Sequence, residues 1–409
     1  MTAGERIEVA IVGAGPAGAA LAARLAGAGR DVVVLERAPH WRWRAGGVFA
    51  GPAAVAMLRG TSFDGELLRT VARPIQAMRV ETMAGTSFRL TYGADEGGEP
   101  AVGFDRSRLD PALLGLARAC GAEVREGSSV VDVVPERGEI AVRGLDGNRA
   151  TLHASVIVGA DGLRSVVARA AGVARPLRLQ RRVGLTYHLD DTANTSMRDA
   201  RMRVFRDGYV GIAPVPGGRV NVGIVLGESW RPELARIGAE AVARSIVEAV
   251  PPITGDTGAW RFGRRCDPIA GAWPLGHRVT RRADVTGARG RGWLLIGDAA
   301  GFLDPFTGEG LHRALVSAEL AARAILADSG RRRDAFVAYD DAMRRRFLAK
   351  DVVSWLVQTF LARPLLFEYA ARRMATRKDV RATMGLVMGD LVPAGRALDP
   401  RYLASLLAP

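Results

Sequence analysis

Three short glycine motifs, far apart in the chain, each follow a run of apolar residues. They are Gly13-Ala14-Gly15-Pro16-Ala17-Gly18, Gly159-Ala160-Asp161-Gly162 and Gly297-Asp298-Ala299-Ala300-Gly301. A short apolar run ending on glycine reads as a buried strand that delivers its backbone into a turn. Glycine at such a turn lets the main chain approach a phosphate or a polyol with no Cβ between them. The fold must therefore bring three distant strand ends to one ligand, and that excludes most architectures at once.

The first motif carries the fullest context. Ile7 to Val12 reads as a strand, Ala19 to Ala28 as a helix, and Val32 to Leu35 as a second strand ending at Glu36. This is a βαβ unit. Gly13 suits the tight turn, Gly15 a close approach to a pyrophosphate, and Gly18 close helix–strand packing, with Pro16 and Ala17 in the same loop. The helix N-terminus then faces the phosphates. Glu36, followed by Arg37, stands where a carboxylate accepts hydrogen bonds from an adenosine ribose. Three motifs in this order imply FAD.

The net charge is +14, yet only Lys350 and Lys378 are lysines. With aromatics at 6% and no nucleic-acid module, the excess reads as a solvated arginine-rich surface and not as nucleic-acid binding. Such a surface would attract acidic substrates, acyl carriers or anionic lipid. Cys120 and Cys266 are the only cysteines and form no metal or disulfide pattern. His40, His153, His277 and His312 are scattered, so no metal site is expected. No apolar run is long enough to span a bilayer. The start at Met1 runs directly into a strand pattern without a signal peptide. These features predict a cytoplasmic protein, with its oligomeric state open.

The expected fold class is α/β. A Rossmann-type FAD-binding domain (1–72, 101–175 and 272–330) carries an inserted antiparallel β-sheet substrate domain (73–100 and 176–271). A helical C-terminal region (331–409) follows. Gly184 to Leu189 and Met202 to Phe205 alternate as strands. Tyr209 to Pro214 and Arg219 to Leu226 flank the hairpin signal Val215-Pro216-Gly217-Gly218. A flavin-covering face is expected to use Val204, Ile212, Val222 and Ile224 or their alternating neighbours. Either Tyr209 with Gly211 or Val210 with Ile212 then faces the flavin. The C-terminal region has arginines at 344–346 and apolar residues from Phe347 to Leu366. A basic amphipathic helix there would close the active-site cavity or pack on the FAD domain; membrane-surface contact is the minority alternative.

In these motifs the chain resembles the FAD-dependent oxidoreductases of the para-hydroxybenzoate hydroxylase fold, over about residues 6 to 330. That superfamily includes aromatic hydroxylases, ubiquinone-pathway hydroxylases, geranylgeranyl reductases and flavin halogenases. The resemblance implies that Asp161 and Gly162 lie near the pyrophosphate, with Asp161 also linked to reduced nicotinamide binding. It implies that Asp298, after Gly297, accepts a hydrogen bond from a ribityl hydroxyl. Pro305-Phe306-Thr307-Gly308-Glu309-Gly310 would open a helix aimed at the flavin N1–C2 edge. There a helix N-terminus stabilises the negative charge of reduced flavin. Arg106 resembles an arginine that contacts the cofactor, although a surface arginine at a helix start fits equally. Arg44, Ala45 and Gly46 match a loop that lies along the flavin, with Trp41 and Trp43 beside it.

The branch is less plain. Gly301, where hydroxylases commonly have histidine, resembles the geranylgeranyl reductases, and so do Phe302-Leu303-Asp304-Pro305, Ala314 and Ser317. Against that, Arg44-Ala45-Gly46-Gly47 replaces their Cys-Gly-Gly-like loop, and the strand before the hairpin, where they tend to have aromatics, reads Gly208-Tyr209-Val210-Gly211-Ile212-Ala213-Pro214. The halogenase Trp-x-Trp-x-Ile-Pro signature is absent. The leading expectation is an NAD(P)H-dependent monooxygenase. It would hydroxylate an apolar phenolic, quinoid or polyketide-like molecule through a C4a-hydroperoxide. The alternative is a reductase of a prenyl or activated double bond. That chemistry favours a nearby acid, with Tyr187, His188, Tyr209 and Asp304 as candidates. Asp304 also fits a plain turn cap. A third reading is a FAD-stabilised protein without redox activity. With no second dinucleotide motif, NAD(P)H would bind transiently or a separate electron donor would serve.

Overall fold

The computed structural model describes residues 5–60, 65–93, 99–177, 181–191, 198–250, 263–286, 290–327 and 330–407. The apolar runs before the three motifs become neighbours in one sheet. Its order is Ala283–Thr286, Arg291–Leu295, Arg149–Gly159, Glu5–Val12, Val32–Glu36 and Glu123–Glu126. All pairs along this order are parallel except the first. The central strands are buried on both faces, so they read as continuous apolar runs and not as alternation. Val12 pairs with Gly159, and Gly159 with Leu295, so all three motifs leave the sheet at one level.

Helices Pro16–Gly27, Gly310–Leu326 and Arg106–Ala119 pack in one layer. The first starts at Pro16, earlier than its apolar period predicts. Proline's fixed φ and missing N–H suit the first helical position.

A second sheet runs Ala270–Ala272, Val183–Asp190, Arg219–Leu226, Gly208–Val215, Asp199–Phe205, Ala77–Glu81 and Ser87–Leu90. It is antiparallel except where Asp199–Phe205 meets Ala77–Glu81 in parallel. One face, with Leu185, Tyr187, Val210, Ile212, Val222 and Ile224, is covered by Val242, Ile246 and Val247 of helix Arg231–Glu248. The other carries Met78, Val80, Met202, Val204, Tyr209 and Val225 toward the C-terminal helices. The expected grouping of Val204 with Ile212, Val222 and Ile224 therefore splits. The hairpin turns at Asp207 (φ 55°) and sets Val204 opposite Tyr209.

The C-terminal helices are Arg332–Leu361, Pro364–Thr376, Lys378–Met388 and Pro400–Leu407. They lie against this second face and close it. Among the described residues no helix is long and apolar enough to cross a membrane.

Candidate cofactor and active site

The three glycine turns interlock. Gly13 has φ +105°, and a Cβ there would lie 2.6 Å from the Ala160 carbonyl oxygen. A Cβ on Gly18 would lie 2.0 Å from the Gly13 oxygen, and one on Gly297 2.9 Å from the Ala17 Cβ. At Gly15, Gly162 and Gly310, by contrast, a Cβ would meet nothing within 4 Å. Packed glycines behind and open glycines in front make a cradle. Gly15 caps its helix without a side chain, so the first N–H groups of Pro16–Gly27 face that opening. This arrangement fits a pyrophosphate.

Glu36 is buried and braces the cradle. It accepts hydrogen bonds from the Ala14 N–H at 3.0 Å and the Ala38 N–H at 3.1 Å. Arg44 stands 3.9 Å from it, and Arg37 is exposed beyond the strand. Arg44 thus lies near the predicted adenosine end. Asp161 accepts from the Val166 N–H at 2.6 Å, while its Oδ1 is buried without a partner. Asp298 makes no side-chain hydrogen bond among the described residues. Burial raises its pKa to about 6, against the pull of the Arg106 and Arg313 guanidiniums. A half-buried carboxyl without a donor fits a ribityl hydroxyl.

Arg106 is largely buried. It binds Asp110 through two nitrogens at 2.6 and 2.9 Å and donates to the Gly47 carbonyl at 2.9 Å. It holds the Arg44–Gly47 loop against the cleft, and Gly46 lies over it. Ser317, noted above only for its likeness to the reductases, and His277, read only as a scattered histidine, fasten the third motif. Ser317 Oγ accepts the Gly297 N–H at 2.8 Å, and His277 Nε2 lies 3.0 Å from the Ala299 oxygen.

Two of the four catalytic candidates meet beside the turn Pro305–Thr307, which the resemblance leads one to expect beside the flavin. Asp304 caps that turn, accepting the Phe306 N–H at 2.9 Å. The same carboxyl accepts the Tyr209 hydroxyl at 2.5 Å and an Arg182 N–H at 3.0 Å. Arg182 also donates to Gln358 of the long C-terminal helix. Burial, then Asp304, holds the Tyr209 phenol well above its ordinary value, so it stays neutral. Burial raises Asp304 as well, opposed by Arg182. The Tyr209 ring lies edge-on to Phe306 with centroids 5.1 Å apart.

Tyr187 points the other way, into the apolar cluster under helix Arg231–Glu248, and is set apart from this group. His188 lies on the opposite face from Tyr187. Its Nδ1 is 2.6 Å from Asp267, its ring 4.5 Å from Trp43, and its Nε2 is buried without a partner. Burial lowers its pKa, although Asp267 opposes this, so the ring is neutral at pH 7.

Glu309, before helix Gly310–Leu326, joins a buried charge network. It lies 3.1 Å from Arg313 and 3.8 Å from Lys350. Lys350 reaches Asp390 at 3.0 Å, and His312 reaches Asp390 at 3.0 Å. Burial would raise Asp390, but the His312 hydrogen bond and the Lys350 charge hold it down at about 2. The network ties the C-terminal helices to the helix expected to face the flavin.

Between the second sheet and those helices lies an apolar cavity of about 100 Å³. Met78, Met202, Leu356, Phe360 and Met374 line it, and Phe306 of the turn Pro305–Thr307 forms part of its wall.

Comparison with known proteins agrees with this geometry. A profile of the FAD binding domain family matches residues 6–354. The chain is 28% identical over 400 residues to a menaquinone reductase of Mycolicibacterium smegmatis, covering 95% of this chain and 92% of that one. It is 26% identical over 323 residues to a digeranylgeranylglycerophospholipid reductase of Methanocella arvoryzae, covering 78% and 77%. Among solved structures, a geranylgeranyl bacteriochlorophyll reductase-like protein from Thermoplasma acidophilum superposes with TM-score 0.75 at 20% identity, over 97% and 99% of the two chains. The flavin-dependent halogenase CmlS superposes with TM-score 0.70 at 23% identity, over 85% and 63%. Cradle, unpartnered carboxyl and family match converge: the chain belongs to the FAD binding domain family and is a FAD-dependent oxidoreductase.

Proposed function

We propose that the protein is a reductase that saturates a carbon–carbon double bond in an isoprenoid chain, free or carried on a quinone or lipid. The observation that carries this reading is the apolar cavity that reaches the flavin-facing turn at Phe306 and Thr307. Its methionine and phenylalanine walls suit a flexible hydrocarbon, since methionine fills irregular space. The two relatives above, a menaquinone reductase and a digeranylgeranylglycerophospholipid reductase, support it.

FAD, when bound, supplies the hydride chemistry, with NAD(P)H as the proposed donor. The chain's own residues do the rest. The C-terminal helices exclude water and align the substrate. Tyr209 keeps a proton beside the flavin-facing turn, and Asp304, fixed by Arg182, orients the phenol. This order of preference reverses the sequence-based one, which put hydroxylation first. Hydroxylation stays as the second reading because the same dry cavity would protect an oxygen-transfer step.

The test is product analysis after incubation with NADPH and a prenylated quinone. A gain of two hydrogens supports the reductase. A gain of one oxygen atom supports the hydroxylase and overturns the first reading.

A further inference from the structure

Helix Arg332–Leu361 has apolar residues on two faces. The inner face puts Val353, Leu356, Val357 and Phe360 against the cavity. The outer face carries Leu348, Val352 and Trp355, which are 58%, 43% and 37% exposed. Their spacing of four and then three residues lines them up in one stripe. Leu365, 88% exposed in the next helix, lies just beyond the helix end. A soluble surface carries scattered apolar residues, but an aligned stripe ending in tryptophan marks an interaction site.

The charges around the stripe are mostly positive. Arg344, Arg345 and Arg346 are exposed immediately before it, and Arg363 is exposed between Trp355 and Leu365. The nearby carboxylates are engaged: Asp340 with Arg282 and Arg344, and Asp351 with Arg313. Asp341, a turn before Arg345, is the exposed acid on this side. A stripe of leucine, valine and tryptophan flanked by arginines matches a bilayer interface. The rings and aliphatic chains enter the acyl boundary there and guanidiniums meet lipid phosphates.

We propose that this face docks the protein onto an anionic lipid bilayer. Docking places one wall of the cavity, a single helix thick, against the membrane. An isoprenoid substrate then has a short path from lipid to flavin, and to that extent the idea extends the function proposed above. The docking itself is independent of the reaction, because its test reads binding and not turnover.

The FAD-loaded full chain is sedimented with phosphatidylcholine vesicles, with and without phosphatidylglycerol. The protein is expected to partition onto the phosphatidylglycerol vesicles, less so as salt rises. Leu348→Glu with Trp355→Glu should lower partition roughly tenfold or more. Arg344→Glu with Arg345→Glu should remove the preference for the anionic lipid, by roughly tenfold. Flavin absorbance and unfolding temperature verify each variant's fold. Where one pair misfolds, Val352→Glu with Leu365→Glu takes its place. The proposal fails if the wild-type protein stays in solution with phosphatidylglycerol vesicles, or if the variants bind as the wild type does. It also fails if light scattering shows a wild-type dimer that Trp355→Glu converts to monomer, for then the face belongs to a second copy.

Discussion

Asp298 is a carboxyl that the cofactor-free chain leaves without a hydrogen bond among the described residues. Burial moves its pKa from an ordinary value near about 4 to about 6. The protonated form is therefore favoured in the folded chain. The stability this contributes is full below about pH 4 and lost as pH rises through about 6. Urea titrations of the FAD-free protein should show that loss, and Asp298→Asn should abolish that component; an identical pH profile in the variant would refute the burial of this group. Asp298→Asn should also weaken FAD by roughly tenfold to a hundredfold, through loss of a charge-assisted hydrogen bond of about 1.5–3 kcal/mol. Flavin fluorescence titration measures it. Gly15→Val makes the complementary point. A Cβ there meets open space, so the variant should fold yet purify without flavin. Full flavin content would show that the pyrophosphate lies elsewhere.

Among the elements, the long helix Arg332–Leu361 is held to the start of helix Gly310–Leu326 by Lys350, which is 3% exposed and also donates to the Val387 carbonyl at 2.7 Å. Lys350→Met leaves Asp390 and Glu309 without this cation. Removing one partner of a buried ion pair costs about 3–5 kcal/mol, and chemical unfolding of the FAD-loaded protein should show it; a loss under about 1 kcal/mol would mean the network is wet. None of this was legible in the sequence. Arg182, Gln358, His277 and Lys350 acquire their partners across long separations that no local pattern records. The βαβ unit and the glycine turns were legible because strand, turn and helix follow one another directly. Strand alternation correctly set Tyr187 and His188 on opposite faces. Which face turned inward depended on where helix Arg231–Glu248 would land, and that is decided by tertiary packing. Asp304 is the turn cap that one reading expected, and its second partner, Tyr209, was not legible in the sequence.

For the whole molecule, the proposed function makes the cavity between the second sheet and the C-terminal helices the place of the substrate. Ala370 and Ala371 line it from helix Pro364–Thr376. Ala370→Trp would fill the space, with an overpacking cost of about 1–3 kcal/mol. Turnover of long isoprenoid substrates should fall while flavin content holds, read as separate effects on kcat and KM; unaltered turnover would place the substrate elsewhere. The sheet order has a consequence in time as well as in space. The strand that ends at the first glycine turn takes its neighbour from residues 149–159, which in turn waits for residues 291–295. Chains are made from the N-terminus onward. A ribosome must therefore release all three strands before the three glycine turns can stand at one level. The emerging βαβ unit is a grip with two fingers missing.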